Sequence, residues 1–305
     1  MKILVVGGSG ALGGHAAAFL SQRGHEVSIG ARKPPSPATP MAKMPFVPID
    51  YMAGNVTTES LAGFDGIVFA AGNDGRHAAS SPDMDEHLRK AAAEAQPGFM
   101  RVARDAGVGR VVQLGSYYWQ AEPTLEDDSF YIRTRRLACE AGRAEACPGF
   151  DVISINPPMM VGGVPGLPSV MMMDPPVAWA KGDLKAPLFA PPGCTNYMSY
   201  RSLSQAIEGA LLRGESGNAY LVGDETLTYA EYAELFFKAV GNPVQLEVRD
   251  EPHPVLPAYI IGEGYELTYE PDPEEAALLG YARNDVANGV AEAVAVYEGM
   301  RTRAS

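Results

Sequence analysis

The chain begins Lys2-Ile3-Leu4-Val5-Val6-Gly7-Gly8-Ser9-Gly10-Ala11-Leu12-Gly13-Gly14, and this stretch decides the fold. Residues 3–6 are a short, continuously apolar run rich in β-branched side chains, as a strand buried on both faces of a parallel sheet requires. Glycines follow. Residues 15–23 then place alanines, Phe19 and Leu20 at helical spacing before Gly24, a left-handed helix cap. A strand that turns through glycine straight into a helix aims unpaired backbone N–H groups and the positive end of the helix dipole at one point, where a pyrophosphate can dock. In that arrangement Gly7 permits the tight turn, Gly10 lets the backbone approach phosphate, and Gly13 lets the helix lie close on the strand. Ser9, Ala11 and Leu12 complete the expected cofactor contacts of the loop.

Strands alternate with helices through the first half of the chain. Residues 27–29, 46–49, 66–69, 109–114 and 151–155 carry strand patterns, and residues 85–106 read as one long helix interrupted near Pro97-Gly98. This order predicts an α/β fold, a doubly wound parallel sheet, with a smaller C-terminal substrate lobe. The expected division is residues 1–158 for the dinucleotide-binding domain and 159–305 for the lobe, with a segment at about 197–223 returning to the sheet.

The composition bounds the partners. A 305-residue chain that is 46% hydrophobic can bury a large core, and its formal charge of −13 repels nucleic acid and anionic membrane alike. No apolar run is long enough to span a bilayer, and Lys2 leads into a glycine loop instead of a signal-peptide apolar region. Cys139, Cys147 and Cys194 have no metal-ligand spacing, so no metal is expected, and they read as reduced thiols of a cytoplasmic protein.

The glycine spacing, Gly7-x-x-Gly10-x-x-Gly13, resembles the short-chain dehydrogenase/reductase superfamily, and later motifs narrow the resemblance to its extended branch, the NAD-dependent epimerase/dehydratase family. Its Rossmann fold binds a nicotinamide cofactor. The end of the second strand selects which one: an acidic residue there holds the adenosine ribose hydroxyls, whereas arginine accepts a 2′-phosphate. Here the sequence is Gly30-Ala31-Arg32-Lys33, without a carboxylate. NADP is therefore expected over NAD, with Arg32 as the bidentate phosphate partner and Lys33 as a looser second charge. By the resemblance, Asp50 with Tyr51 meets the adenine, and Ala70, Ala71 and Gly72 line the cofactor where larger side chains would collide with it. His77, in the polar loop that follows, reads as a solvated histidine.

Gly115-Ser116-Tyr117-Tyr118 follows the fifth strand, and Tyr131-Ile132-Arg133-Thr134-Arg135 opens the next helix. A strand-end serine followed by tyrosine and a base four residues on resembles the active site of the superfamily, which implies Ser116 on the substrate oxygen and Tyr131 moving its proton. Tyrosine and a cation at i and i+4 share one helical face, so the charge can lower the phenol's pKa. The family's lysine is replaced by Arg135, which supplies charge and ribose contacts but cannot shuttle a proton. Asn156-Pro157-Pro158-Met159-Met160-Val161-Gly162 resembles the Arg-Pro-x-x-x-Tyr-Gly segment beside the nicotinamide, which implies a cofactor contact at Pro157, with Asn156 and Val161 as departures. Residues 197–206, 218–223, 227–232 and the ending from Gly280-Tyr281 to Val296-Tyr297 extend the resemblance over nearly the whole chain.

The best-known members act on nucleotide sugars, whose pyrophosphate needs basic residues. Between Met159 and Tyr200 only Lys181 and Lys185 are basic, among Met159, Met160, Val161, Val164, Leu167, Val170, Met171, Met172, Met173, Val177, Trp179, Leu188 and Phe189. Such side chains are either ordinary packing or the lining of an apolar ligand site. The expectation is an NADP-dependent oxidoreductase acting on a hydroxyl or carbonyl of an uncharged, fairly hydrophobic small molecule. An epimerase or dehydratase that recycles its cofactor, and a nicotinamide-binding sensor without chemistry, stand as alternatives. The resemblance also implies a homodimer through helices 85–106 and 131–146.

Overall fold

The computed structural model describes residues 1–72, 83–167, 173–256 and 266–304. The opening run forms β1 (Lys2–Val6), buried from Ile3 onward, and the glycine turn delivers the chain into α1 (Ala11–Gln22). β2 (Glu26–Ala31), β3 (Phe46–Pro48) and β4 (Gly66–Phe69) follow. Next come α2 (Met84–Lys90), a wider π turn at Ala91–Ala95 and α3 (Gln96–Asp105). β5 (Arg110–Leu114), α4 (Phe130–Arg143) and β6 (Asp151–Asn156) complete the first half.

The sheet runs in the order β10-β6-β5-β4-β1-β2-β3, where β10 is Ala219–Leu221, and every neighbouring pair is parallel. The order reverses between β1 and β4, which opens a crevice at the carboxyl ends of the strands, beside the glycine turn. Both faces of the sheet are covered. Ile3, Val5, Ile29, Val112 and Ile153 pack on the side of α1 and α6 (Tyr200–Arg213), while Leu4, Val6, Ile67, Val111 and Val152 pack on the side of Phe99, Met100 and Ala103. Burial on two faces explains the unbroken apolar runs of the central strands.

The interruption expected near Pro97-Gly98 falls one turn earlier. Proline has no N–H and its ring opposes the carbonyl four residues back, and the helix accommodates it by widening at Ala91–Ala95. Gln96 is buried beside this turn and donates to Gln113 Oε1 on β5 at 2.7 Å; Gln113 Nε2 donates to Ser154 Oγ on β6 at 2.6 Å. These amides fix α3 and α4 against the sheet. Ion pairs join Arg89 on α2 with Glu86 and Glu94, and Arg136 on α4 with Glu126 and Glu140.

The second lobe holds a smaller sheet. β9 (Cys194–Ser199) pairs with β7 (Met159–Val161), with β11 (Glu225–Thr228) and with β13 (Glu266–Leu267). The short pair β8 (Phe189–Ala190) and β12 (Glu247–Val248) lies apart. α5 (Asp174–Lys181), α7 (Tyr229–Ala239) and α9 (Val286–Ala304) enclose its core, and α8 (Pro273–Leu279) packs on α6. α7 starts with a capping box, in which Thr228 Oγ1 accepts from the Glu231 amide and Glu231 Oε2 accepts from the Thr228 amide. Of the segment expected to return to the main sheet, α6 covers that sheet and β10 joins it, whereas β9 belongs to the lobe. Among the described residues no helix is long and apolar enough to cross a membrane, and no group of side chains could hold a metal ion.

Candidate active site

The glycine turn is shaped by close approach. Gly7 has φ +83°, and a Cβ on it would stand 2.8 Å from the Ala70 carbonyl carbon and oxygen; a Cβ on Gly13 would stand 2.5 Å from Gly7 O. β1, the tip of β4 and the start of α1 therefore meet backbone to backbone. Gly10 caps α1 without a side-chain hydrogen bond, so the first amides of the helix point into the crevice. Gly7, Ser9, Gly10, Ala11, Leu12 and Gly13, expected to cradle a pyrophosphate, all lie in this turn and the start of α1.

Arg32 and Lys33 follow β2, both exposed, and neither takes part in an ion pair among the described residues. Asp50 Oδ1 accepts from the Met52 and Ala53 amides at 3.2 Å, so one of its oxygens shapes its own loop. Tyr51 Oη donates to the Ala71 carbonyl at 3.2 Å, which ties the end of β3 to the Ala70-Ala71-Gly72 segment. Pro157 is buried between β6 and β7. His77 lies outside the described residues.

The carboxyl end of β5 gathers the expected chemistry. Ser116 is buried, 8% exposed, and its hydroxyl has no hydrogen-bond partner among the described residues. Ser129 Oγ accepts from the Ile132 amide and caps α4, which sets Tyr131 in the helix's first turn. Tyr131 packs against the cluster of Tyr117, Tyr118, Ile132 and Leu267, and its hydroxyl is likewise unengaged among the described residues. One turn along the same face, Arg135 Nη2 donates to the carbonyls of Leu114 and Gly115 at 3.1 and 3.0 Å. The helix face that carries Tyr131 and Arg135 is thus applied to the residues leading into Ser116. Arg135 Nε is buried without a partner.

Aromatic residues that the sequence reading left without a role surround this point. The rings of Tyr117 and Tyr118 lie 4.2 Å apart, Tyr117 Oη shares a hydrogen bond with Thr195 Oγ1 at 3.0 Å, and Tyr118 Oη has Met159 Sδ at 3.9 Å. Burial pushes the phenols of Tyr117 and Tyr118 up, and for Tyr118 the neighbouring phenols of Tyr117 and Tyr131 add to it. Both remain protonated hydroxyls. Tyr269 donates to the Val222 carbonyl at 2.8 Å and closes the cluster with Leu221 and Leu267. The adjacent pair Tyr117-Tyr118 after the serine was the signal for this cluster, since two aromatic residues just past a strand end must pack somewhere close.

The apolar stripe expected to line a ligand site is mostly dispersed through the cores. Met160, Val164 and Leu167 pack against the main core, while Val161, Met173, Val177 and Trp179 belong to the lobe's core. Phe189 is buried against His253, and Leu188 is exposed. Met159 alone among the described members of the stripe joins the aromatic cluster at Tyr131; Val170, Met171 and Met172 lie outside the described residues. The lobe's basic residues are largely engaged: Lys181 with Glu298, Arg249 with Glu247, Arg283 with Asp224 and Glu270, Arg301 with Asp183, and Arg213 on the Leu278 and Leu279 carbonyls.

These residues fit a nicotinamide dinucleotide. The uncapped α1 terminus suits its pyrophosphate, the close approach at Gly7 and Gly13 keeps side chains out of the cradle, and the unsatisfied Arg135 Nε offers a donor beside Ser116.

The sequence model of the NAD dependent epimerase/dehydratase family matches residues 3–165. No curated protein matches the chain. Among solved structures, it is similar to the UDP-glucose-4-epimerase of Stenotrophomonas maltophila with bound NAD and formylated UDP-arabinopyranose, at 19% identity over 100% of both chains with a TM-score of 0.78. A dTDP-glucose 4,6-dehydratase double mutant from Streptomyces venezuelae is 22% identical, with 99% of this chain and 98% of that chain covered and a TM-score of 0.75. The UDP-N-acetylglucosamine 4-epimerase of Bacillus cereus is 16% identical over 98% of this chain and 97% of that one, with a TM-score of 0.73. These likenesses, which extend over nearly the whole chain, bear out the α/β fold with its parallel Rossmann-like central sheet. The family match spans more than half of the chain, which therefore belongs to the NAD dependent epimerase/dehydratase family, enzymes of the short-chain dehydrogenase/reductase type.

Proposed function

We propose that the protein is an NADP-dependent oxidoreductase acting on a hydroxyl or carbonyl group of an uncharged, fairly hydrophobic small molecule. The observation that carries the reading is the pair of unengaged hydroxyls on Ser116 and Tyr131, set at one strand end among phenols that are themselves engaged. Ser116 holds the substrate oxygen, and the Tyr131 hydroxyl gives it a proton in reduction and takes one in oxidation. Bound NADPH would supply the hydride. Arg32 and Lys33, unpaired at the end of β2, favour NADP by offering two donors to a 2′-phosphate. The aromatic and thioether lining of Tyr117, Tyr118 and Met159 favours an apolar substrate body. Five of the cations in residues 159–305 are already engaged, which reduces what could hold a pyrophosphate on the substrate side.

The similar solved structures favour a second reading. Two of them are nucleotide-sugar epimerases, and one is a dTDP-glucose dehydratase with NAD bound. An enzyme of that kind regenerates its cofactor and shows turnover without net change in nicotinamide absorbance. Incubation with NADPH and a panel of ketones, and with NADP and the matching alcohols, separates the two. Steady consumption of NADPH with at least one apolar ketone is expected. Conversion of a UDP-sugar at constant absorbance would transfer the protein to the second reading.

A further inference from the structure

The peptide group before Ser116 is held from two sides. On the helix side, Arg135 Nη2 donates to the carbonyls of Leu114 and Gly115. On the sheet side, the fully buried Asn156 at the end of β6 lies directly over Gly115, and a Cβ built on that glycine would stand 1.8 Å from Asn156 Oδ1. The Asn156 amide is itself fixed. Its Nδ2 donates to Gln120 Oε1, Gln120 Nε2 donates to the Ala219 carbonyl on β10 at 2.9 Å, and the Cys139 thiol lies 3.9 Å from Asn156 Oδ1. The Gly115 amide donates to the Ile155 carbonyl at 2.8 Å. The ends of β5, β6 and β10 are thus joined through side-chain amides at the residue that precedes Ser116.

Each partner suits this task by chemistry. A planar guanidinium can donate to two successive carbonyls and keep a fixed direction, whereas an ammonium on a flexible stem acts as a point charge. A buried primary amide carries donor and acceptor sites that must all be satisfied, so its orientation is set by its neighbours. Two of the three side chains at which the motifs depart from the family resemblance, Arg135 and Asn156, therefore meet at one glycine, while the third, Val161, packs in the lobe's core.

We propose that Arg135 and Asn156 are positioning residues that together clamp the Gly115 peptide and thereby hold the Ser116 hydroxyl for the substrate oxygen. The clamp's catalytic consequence rests on the role given to Ser116 above. The charge of Arg135 is used to fix backbone, and proton relay is not its function. Residue 115 is glycine because Asn156 occupies the space of its side chain.

The variants R135K, N156A, R135K/N156A, G115A and G115A/N156A test the clamp by three readouts on the full chain. These are amide hydrogen exchange over residues 114–117, NADPH affinity by fluorescence titration, and reduction of acetophenone and cyclohexanone by NADPH. R135K and N156A are each expected to speed exchange at the Ser116 and Tyr117 amides by about tenfold and to lower kcat by about tenfold, and N156A, whose amide is engaged within the protein, to leave NADPH affinity within about threefold. The double variant R135K/N156A should be no worse than the worse single variant, because a clamp opened from either side is open. N156A should restore thermal stability and part of kcat to G115A by removing the overlap. Unchanged exchange in R135K and N156A, full additivity in the double variant, or no rescue of G115A would overturn the clamp. If the wild-type protein reduces neither probe, the proposed oxidoreduction loses its support, while exchange and the rescue of G115A stability still decide the clamp.

Discussion

Arg32 is the residue on which cofactor choice turns. It follows β2 exposed, without an ion pair among the described residues, with Lys33 beside it and no carboxylate where a ribose would be gripped. R32A should weaken NADPH binding by about tenfold and leave NADH binding nearly unchanged, because a guanidinium meets a 2′-phosphate through two charge-assisted hydrogen bonds and has no such partner on a hydroxyl. Fluorescence titration with each cofactor reads this directly, and equal losses for both would show that Arg32 does not see the phosphate. At this scale the sequence was informative where a residue's role depends on local backbone: Gly7 and Gly13 sit where a side chain cannot. It was uninformative where the role depends on a distant partner. Tyr-x-x-x-Arg places Arg135 on the face of Tyr131, but its contact with carbonyls of residues 114 and 115 arises from how α4 packs on the end of β5. The carboxylate of Asp50, expected to face adenine, spends one oxygen on the amides of its own loop, a local turn bond that competes with any ligand.

Among the elements, α9 depends most on a single side chain. Asp224, 2% exposed, accepts from the Asn284 and Asp285 amides at 2.5 and 2.8 Å and from Arg283 Nε at 3.3 Å; Ser199 Oγ donates to Asp285 Oδ2 at 2.6 Å. The helix start is thereby stapled to β9 and to the turn before β11. D224A leaves buried amides and part of a guanidinium without partners, so it should destabilise the fold by about 2–4 kcal/mol. Urea unfolding of both proteins checks this, and a change below about 0.5 kcal/mol, typical of a surface position, would contradict it. The sequence pointed to this helix through the resemblance of the ending from Gly280-Tyr281 to Val296-Tyr297 to the family's terminal segment. It also placed the break in residues 85–106 within a turn of its position, since Pro97 forbids a regular helix whatever the context. The form of the break, a π turn that lets Gln96 reach Gln113, depends on a buried pairing that no local pattern announces.

Across the whole molecule, three helices from distant parts of the chain meet at His15. Its Nδ1 shares a hydrogen bond with Ser204 Oγ on α6 at 2.8 Å, its ring meets Tyr200 edge-on, and its Nε2 lies 3.9 Å from Glu292 Oε2 on α9. Burial lowers the imidazole from 6.5 to about 4. Because the folded value is the lower one, the unfolded chain takes up the proton first as pH falls. This term therefore costs nothing above about pH 6.5 and reaches roughly 3 kcal/mol of lost stability near pH 4. Glu292 acts in the opposite sense: burial first, then the charge of Asp285, raises its carboxyl, so its stabilising protonated form is lost as pH rises. H15N should flatten the fall in melting temperature between about pH 7 and pH 5, and an unchanged slope would place the titration elsewhere. The doubly wound parallel sheet was legible from the alternation of strands and helices. The apolar stripe after Met159 was not, because composition cannot say whether a methionine faces a core or a ligand, and most of its described members divide among three clusters. The central claim is that the glycine turn and the end of β2 hold an NADP dinucleotide. Calorimetric titration of the intact chain with NADPH and with NADH tests it most directly: saturable one-to-one binding of NADPH, tighter than NADH by about tenfold or more, is the predicted result. Absence of binding by either cofactor would contradict the account, and preference for NADH would overturn its assignment of Arg32.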